Sequence, residues 1–414
     1  MFRSTAVVLI AVAASPPPAD AQGLTHRGFA DLKAVVFPQE APNDPQTLVI
    51  DLLLRGEVIA TATDWLQIAA GADLRGNTHD QVDHRWDVDL SDRTPRRPLL
   101  SIRRLAATLH RGPVVIDAGK QFIRWGKTDI VTPTDRFAPR DYAYVFDSEF
   151  LAVAGVRGMI STASDSVDVV WVPRFTPSRT PHPDRRWTVL PENVPVPVVL
   201  IEAAMPVPDR SQVGVRWNRT GGGLEWSLSL FDGFNHLPAI EPQPADPGAP
   251  PVVFLAKRFP ALRMYGGDLA LPTRWFTLKA EAGLFTSPDI STDNYVLYVV
   301  QLERQTGEWL IIAGYAGEAV TTRRADRTFA PDRGTARSIL GRASYTIDAA
   351  RHLAFEGAVR ENGGGQYAKA EFSEARGEHW RWTLTGTVIG GRDDDFLGQY
   401  RRNSHLTASL RYSF

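Results

Sequence analysis

The stretch Leu406-Thr407-Ala408-Ser409-Leu410-Arg411-Tyr412-Ser413-Phe414 decides the fold. Its even positions are apolar and its odd positions are polar. Side chains of an extended strand point alternately to opposite faces, so strict period two describes a strand with one greasy face and one wet face. The last residue of the run, and of the sequence, is the aromatic Phe414.

The same alternation recurs upstream. Trp380, Trp382, Leu384 and Val388 share a face opposite Arg381, Thr383, Thr385 and Thr387. Leu353, Phe355, Gly357 and Val359 oppose Ala354, Glu356, Ala358 and Arg360. Phe276, Leu278, Ala280, Ala282 and Leu284 oppose Thr277, Lys279, Glu281 and Gly283, and Leu224, Trp226, Leu228 and Leu230 oppose Glu225, Ser227 and Ser229. The expected strands run to about 10 to 14 residues, whereas a soluble sandwich builds on strands of about 5 or 6.

Connection lengths give an independent test. Working back from Phe414, segment 390–404 is long, 374–378 short, 361–365 modest, 348–351 short, 322–335 long, 304–307 short, 287–293 medium and 271–273 short. Then 235–258 is long and proline-rich, 220–222 short, 178–210 the longest, 162–164 short, 126–147 long, 111–113 short, 76–97 long, 55–57 short and 37–45 medium. The rhythm holds to the start if 28–36 and 47–54 are the first two strands. Alternating short and long connections are the mark of a membrane barrel with short periplasmic turns and long external loops. The expectation is therefore an all-β chain: a transmembrane, antiparallel, up-and-down β-barrel of about 18 strands, or 16 if the first hairpin is a plug or arm.

The remaining features agree. Residues 1–21 read as a cleaved signal peptide, with Arg3 as the positive start, an apolar run from Thr5 to Ala14, and the small-x-small site Ala19-Asp20-Ala21. Residues 22–414 then form a single barrel domain in the outer membrane of a Gram-negative cell. No later segment has 18 consecutive apolar residues, so no transmembrane helix is expected. A mildly negative mean hydropathy suits a barrel, because every second wall residue faces water. A formal net charge of −1 gives no basic field for nucleic acid. The absence of cysteine excludes disulfides, thiolate metal sites and cysteine nucleophiles. The terminal aromatics Tyr412 and Phe414 resemble the insertion signal of outer-membrane barrels.

Charged residues on the polar faces are expected to line the lumen: Arg216, Glu225, Lys279, Glu281, Arg342, Glu356, Arg360, Arg381 and Arg411. Ion pairs or water must accompany them, since a buried unpaired charge is costly. Their slight arginine excess points toward anionic or sugar-like solutes. The densest charge lies in GKQFIRWGKTDIVTPTDRFAPRDY, residues 119–142, where opposite charges recur at close spacing. Such pairs suit a loop folded into the lumen and held by Arg–carboxylate bonds. Arg124, Lys127, Asp129, Asp135, Arg136, Arg140 and Asp141 are accordingly the candidates for a pore constriction. The competing reading is a structural loop packed on the wall.

The same segment resembles a pattern of Gly-Arg-Gln, Trp-Gly, Pro-x-Asp and Asn-Pro-Arg-Asp found in porin-like outer-membrane proteins, relatives of the alginate-export barrels among them. Lys120 stands where that pattern has arginine, and Ala138 where it has asparagine. The resemblance implies an outer-membrane channel, often for hydrophobic compounds or anionic polymers and working with an inner-membrane pump; the function expected here is a porin-type channel for small solutes or polymers. Outer-membrane lipids and the barrel-assembly machinery are its other expected partners. A plugged barrel acting as a receptor is the alternative, with the 178–210 loop in that role. A lipid hydrolase is disfavoured: Ser404 and Ser409 lie near His405, His379 and His352 without an orienting residue, and no catalytic motif appears. His79 to His84 and Asp393 to Asp395 carry metal-ligand types but read as solvated loops, so no metal and no cofactor is expected.

Overall fold

A computed structural model describes residues 23–88, 90–189, 199–203, 205–244, 252–324 and 330–414. The proposed signal peptide lies outside the described residues. Eighteen strands form the wall: β1 Leu24–Val36, β2 Leu48–Thr63, β3 Leu66–Asn77, β4 Arg97–Arg111, β5 Val114–Gln121, β6 Val153–Ser161, β7 Asp165–Val172, β8 Gln212–Gly221, β9 Leu224–Phe234, β10 Ala261–Pro272, β11 Thr277–Thr286, β12 Asn294–Thr306, β13 Trp309–Thr322, β14 Ser338–Thr346, β15 Arg351–Arg360, β16 Gly365–Arg376, β17 Trp380–Gly391 and β18 His405–Ser413. Each pairs antiparallel with its sequence neighbours, and β1 pairs with β18, matching Ala30 with Tyr412, Asp31 with Arg411 and Leu32 with Leu410. The sheet is closed, so no wall strand leaves an edge for hydrocarbon to meet. No helix among the described residues is long and apolar enough to cross a membrane.

The period-two pattern becomes the wall. Leu406 and Leu410 stand outward, 49% and 44% exposed, while Thr407, Ser409 and Arg411 turn inward. Aromatic rings pair beside the short turns: Trp217 with Trp226, Trp309 with Tyr345 and Trp380 with Tyr412, at centroid distances of 4.8, 4.7 and 4.9 Å. That is the interfacial girdle of a membrane barrel. Both ends of the wall lie at the short-turn side. The Phe414 N–H donates to Gly28 O and the Gly28 N–H to Phe414 O, at 3.0 and 2.9 Å. The Phe414 ring covers Gly28 so closely that a Cβ there would lie 2.5 Å from it.

One expected turn is misplaced. Residues 55–57 are not a turn; they lie inside β2, and the chain reverses at residues 64–65. The charges that suggest a turn are inward-facing wall residues. Arg55 pairs with Asp73 at 2.7 Å, and Glu57 pairs with Arg27 and Arg103 at 2.6 and 2.9 Å. The long 235–258 connection also has structure of its own. Ala239–Pro244 and Val252–Arg258 pair antiparallel, and Val199–Glu202 joins them in a small separate sheet.

Candidate functional site

The lumen is shaped by the segment 122–152, between β5 and β6. It leaves the wall just past Gly119, whose φ of +123° and whose approach to Leu105 O, 2.3 Å from a built Cβ, admit only glycine. Asp135 fixes the first bend: one carboxylate oxygen accepts the Trp125 and Gly126 N–H groups at 2.6 Å each, and the other accepts Arg124 at 3.1 Å. The loop then crosses to the far wall. Glu281, on β11, accepts five bonds there: Lys127 N–H at 2.7 Å, Thr128 N–H at 3.0 Å, Thr134 N–H at 2.7 Å, and both threonine hydroxyls at 2.9 Å. Lys127 pairs with Glu225, Asp129 with Lys279 at 2.9 Å, and Gln301 Oε1 accepts the Asp129 N–H at 3.0 Å.

Behind this ladder of bonds the lumen is filled with apolar side chains. Trp125 meets Phe137 edge-on at 5.2 Å and Phe137 meets Phe231 at 5.0 Å, with Met264, Phe285, Val170 and Val172 buried around them. A Cβ at Gly214 would sit 2.7 Å from both the Phe137 and Trp125 rings.

The return limb of the loop ties to the opposite wall. Buried Asp141 pairs with Arg97 at 2.9 Å and with Arg179 at 3.2 Å; Arg179 continues to Asp92, and Asp92 to the fully buried Lys120 at 2.6 Å. Burial alone would raise the Asp141 carboxyl, but Arg97 and Arg179 outweigh it and hold it well below the usual carboxylate range. Tyr144 donates to Asp51 at 2.9 Å, Lys33 pairs with Asp147 at 3.0 Å, and Glu149 pairs with Arg75 and Arg55 at 2.8 and 3.2 Å. Against the effect of burial, Arg75 and Arg55 hold the Glu149 carboxyl at about 2, so it is an anion at neutral pH.

A cavity of about 640 Å³ lies between this limb and the wall formed by β15–β18 and β1–β3, larger than one of about 190 Å³ lined by Asp135, Arg136 and Arg140 among others. Four successive inward residues of β18, His405, Thr407, Ser409 and Arg411, line it. At 3.2–3.4 Å per residue it therefore follows the strand for roughly 20 Å. Seven Lys or Arg side chains line it (33, 55, 75, 97, 369, 381 and 411) with five Asp or Glu (31, 51, 147, 149 and 371), and two of the cations, Arg55 and Arg97, are bonded to Asp73 and Asp141 just outside the lining. Among the described residues Lys369 and Arg381 make no ion pair with a carboxylate; Arg381 donates to Ser373 Oγ, at 3.3 Å, and lies directly across from Arg411. Glu371 likewise makes no ion pair among the described residues, whereas Arg411 is bonded to Asp31 and packs on the Phe29 ring at 4.2 Å.

The constriction candidates fold inward together, yet none of the seven lines the larger cavity. Arg124 and Arg140 clamp the Phe150 ring from 4.1 and 4.0 Å, Arg136 reaches Asp332 at 3.6 Å, and Lys127, Asp129, Asp135 and Asp141 make the ties described above. Of the wall candidates, Arg381 and Arg411 line the cavity. Arg216 is spent on Asp268 at 2.8 Å and on Trp125 O; Glu225, Lys279 and Glu281 hold the loop; Arg360 holds Asp395 at 3.2 Å; Arg342 stands across from Glu356 in register. Lys33, Asp147, Glu149, Lys369 and Trp187 line the cavity without having been singled out from sequence. The run Tyr367-Ala-Lys369-Ala-Glu371-Phe-Ser373 carries the period-two signal that would have found Lys369. Near the hydrolase candidates, the Ser404 hydroxyl bonds the Ile389 backbone and His405 Nδ1 bonds Asn403 O.

No family model matches the sequence, and no curated protein sequence is significantly similar to it. Solved structures are similar in fold. OccAB4 of Acinetobacter baumannii superposes with a TM-score of 0.55 at 9% identity, covering 96% of this chain and 100% of its own. A BenF-like porin from Pseudomonas fluorescens Pf-5 gives 0.55 at 8% identity, with 95% and 97% covered, and Pseudomonas aeruginosa OpdQ gives 0.53 at 9%, with 94% and 98% covered. At such identities the likeness speaks for architecture: this chain is a closed, eighteen-stranded barrel of the outer-membrane porin type.

Proposed function

We propose that the chain is an outer-membrane channel through which small hydrophilic anions pass along the wall of β15–β18 and β1–β3. The observation that carries the reading is the pair of cations on that wall, Lys369 and Arg381, which make no ion pair with a carboxylate among the described residues. A passing anion finds there what the wall itself does not supply. The segment 122–152 narrows the passage, by its mass and through Asp147 and Glu149, while the seven candidates from Arg124 to Asp141 fix its position. In this reading residues 1–21 are a cleaved export signal, and outer-membrane lipid and the barrel-assembly machinery are the partners. Passage of polymers, kinship with alginate-export barrels and a link to an inner-membrane transporter rest on the sequence motif alone. The porin-type fold of the structural neighbours supports a channel over a receptor or a hydrolase. The test is the reversal potential of purified protein in a planar bilayer under a potassium chloride gradient. A potential of the sign for chloride preference is expected; cation preference would refute the assignment of solute charge.

A further inference from the structure

The run His182-Pro183-Asp184-Arg185-Arg186-Trp187-Thr188 is one of the most polar in the chain and belongs to a long external loop. A segment of this composition is expected to lie in water. Two of its residues do the reverse. Trp187 is 1% exposed, and the Arg186 side chain has no exposure at all.

The indole lies at the loop-side end of the 640 Å³ cavity, which it helps to line. Tyr144 and Phe146 from the segment 122–152 meet it at 6.2 and 5.9 Å, Tyr400 at 5.7 Å and His405, the first residue of β18, at 6.3 Å. Rings from separate segments thus converge on one tryptophan across the outer mouth.

The attachments of this segment differ in kind from those of 122–152. The Asn43 side-chain amide faces three of its carbonyls, Pro183 O at 3.0 Å, Arg185 O at 2.8 Å and Thr188 O at 3.2 Å. The Arg186 guanidinium lies over the Phe37 ring at 3.8 Å and donates to Gln39 O and Gln46 O; the Arg186 N–H donates to Asp44 at 3.2 Å, and Asn403 donates to Arg186 O at 3.0 Å. Every one of these partners is in a loop. Among the described residues none of this segment's hydrogen bonds reaches a wall strand, whereas 122–152 is bonded to β11, β12 and β2. The seating is also under-satisfied. An amide has two N–H bonds to share among three carbonyls, and among the described residues the buried Trp187 indole N–H has no acceptor. Groups left so cost free energy, which lowers the work needed to lift the segment out.

We infer that residues 182–188 form a removable stopper in the outer mouth, and that Trp187 sets the size limit of the passage. The inference rests on the channel reading and adds to it: 122–152 is the fixed constriction, and 182–188 is the movable one. Hydrophobic side chains at a narrow point control passage by excluding water and solute, without selecting charge.

The test uses full-length protein in planar bilayers. Trp187→Ala should raise single-channel conductance by about twofold and admit larger neutral sugars in vesicle-swelling assays, with the reversal potential unchanged, because no charge is altered. Asn43→Ala, which loosens the clasp and spares the indole, should give bursts of opening to the Trp187→Ala level. Since the chain has no cysteine, Asn43→Cys with Arg185→Cys supplies an independent lock: oxidised, it should abolish the bursts, and reduction should restore them. If both alanine variants fold, by their heat-shifted mobility on gels, and conduct like the unaltered protein, the stopper is refuted. The same holds if the oxidised pair conducts as the reduced pair does. If the unaltered protein and Trp187→Ala both conduct nothing, the channel reading itself falls.

Discussion

Replacing Glu281 with glutamine should loosen the fixed constriction while leaving the wall intact. The carboxylate accepts three backbone N–H groups and two hydroxyls from segment 122–152, divided between its two oxygens: Oε2 takes Lys127 N, Thr128 N and Thr128 Oγ1, and Oε1 takes Thr134 N and Thr134 Oγ1. A glutamine amide keeps one oxygen and turns the other into a donor. It is best placed with its oxygen toward Lys127 and Thr128, where two backbone donors converge, and its NH2 toward Thr134. The Thr134 hydroxyl can rotate to accept, but the Thr134 N–H, which is buried, loses its acceptor. One buried N–H left unmet costs about 1–3 kcal/mol. At about 2 kcal/mol the population of the released loop rises by roughly thirtyfold. β11 keeps its backbone ladders to β10 and β12, so the barrel itself survives. Two assays read the change: open-channel current noise, which should rise, and trypsin cleavage after Lys127, Arg136 or Arg140, which should speed up by about the same factor. Glu281→Gln protein that is folded, quiet and as resistant to trypsin as the original would refute the claim that this carboxylate holds the loop.

Other consequences are open to direct measurement. Lys369→Ala and Arg381→Ala should each lower the anion-to-cation permeability ratio about twofold, the effect of one unit charge about 8 Å from the solute path in water, screened by about 0.1 M salt; an unchanged reversal potential would place the path elsewhere. Gly28→Val should impair closure of the barrel, because a side chain there meets the Phe414 ring, and the heat-modifiable fraction on gels should fall. Acid should favour lifting of the 182–188 segment. Burial, and then Arg96, push His182 down to about 4, with Lys257 and Arg185 adding to this and Asp184 opposing it; Glu202 lies 3.9 Å away. A freed histidine titrates near 6.5, so it takes a proton more readily once released, and release gains about 2 kcal/mol between pH 7 and pH 5. Openings should be more frequent at pH 5 than at pH 7, and His182→Asn should remove the difference.

The wall was legible because a barrel writes its two environments into alternate residues. Leu406, Leu410, Trp380 and Val388 face outward as their parity requires, and Arg381 and Arg411 face inward. The failure at 55–57 has the same origin: Arg-Gly-Glu looks like a turn, and only the partners Asp73, Arg27 and Arg103 on other strands show it to be wall. The site was legible only in part. Dense charge in 119–142 signals a loop folded inward, but not which of its groups meet solute. Arg124, Lys127, Asp129 and Arg136 are consumed by Asp135, Glu225, Lys279 and Asp332, partners up to about two hundred residues away in sequence. Burial of Trp187 in so polar a run leaves no local trace, because what buries it, Tyr144, Phe146 and Tyr400, comes from other loops.

Which face of the wall the solute meets can be measured directly, because the chain has no cysteine. Ser409 and Ala408 are neighbours on β18, the first inside the 640 Å³ cavity and the second on the outer face. A charged methanethiosulfonate reagent added during single-channel recording should cut the current through Ser409→Cys protein stepwise and leave Ala408→Cys protein unchanged. Current through Ser409→Cys that is indifferent to the reagent, or an equal block at both positions, would contradict a passage along this wall.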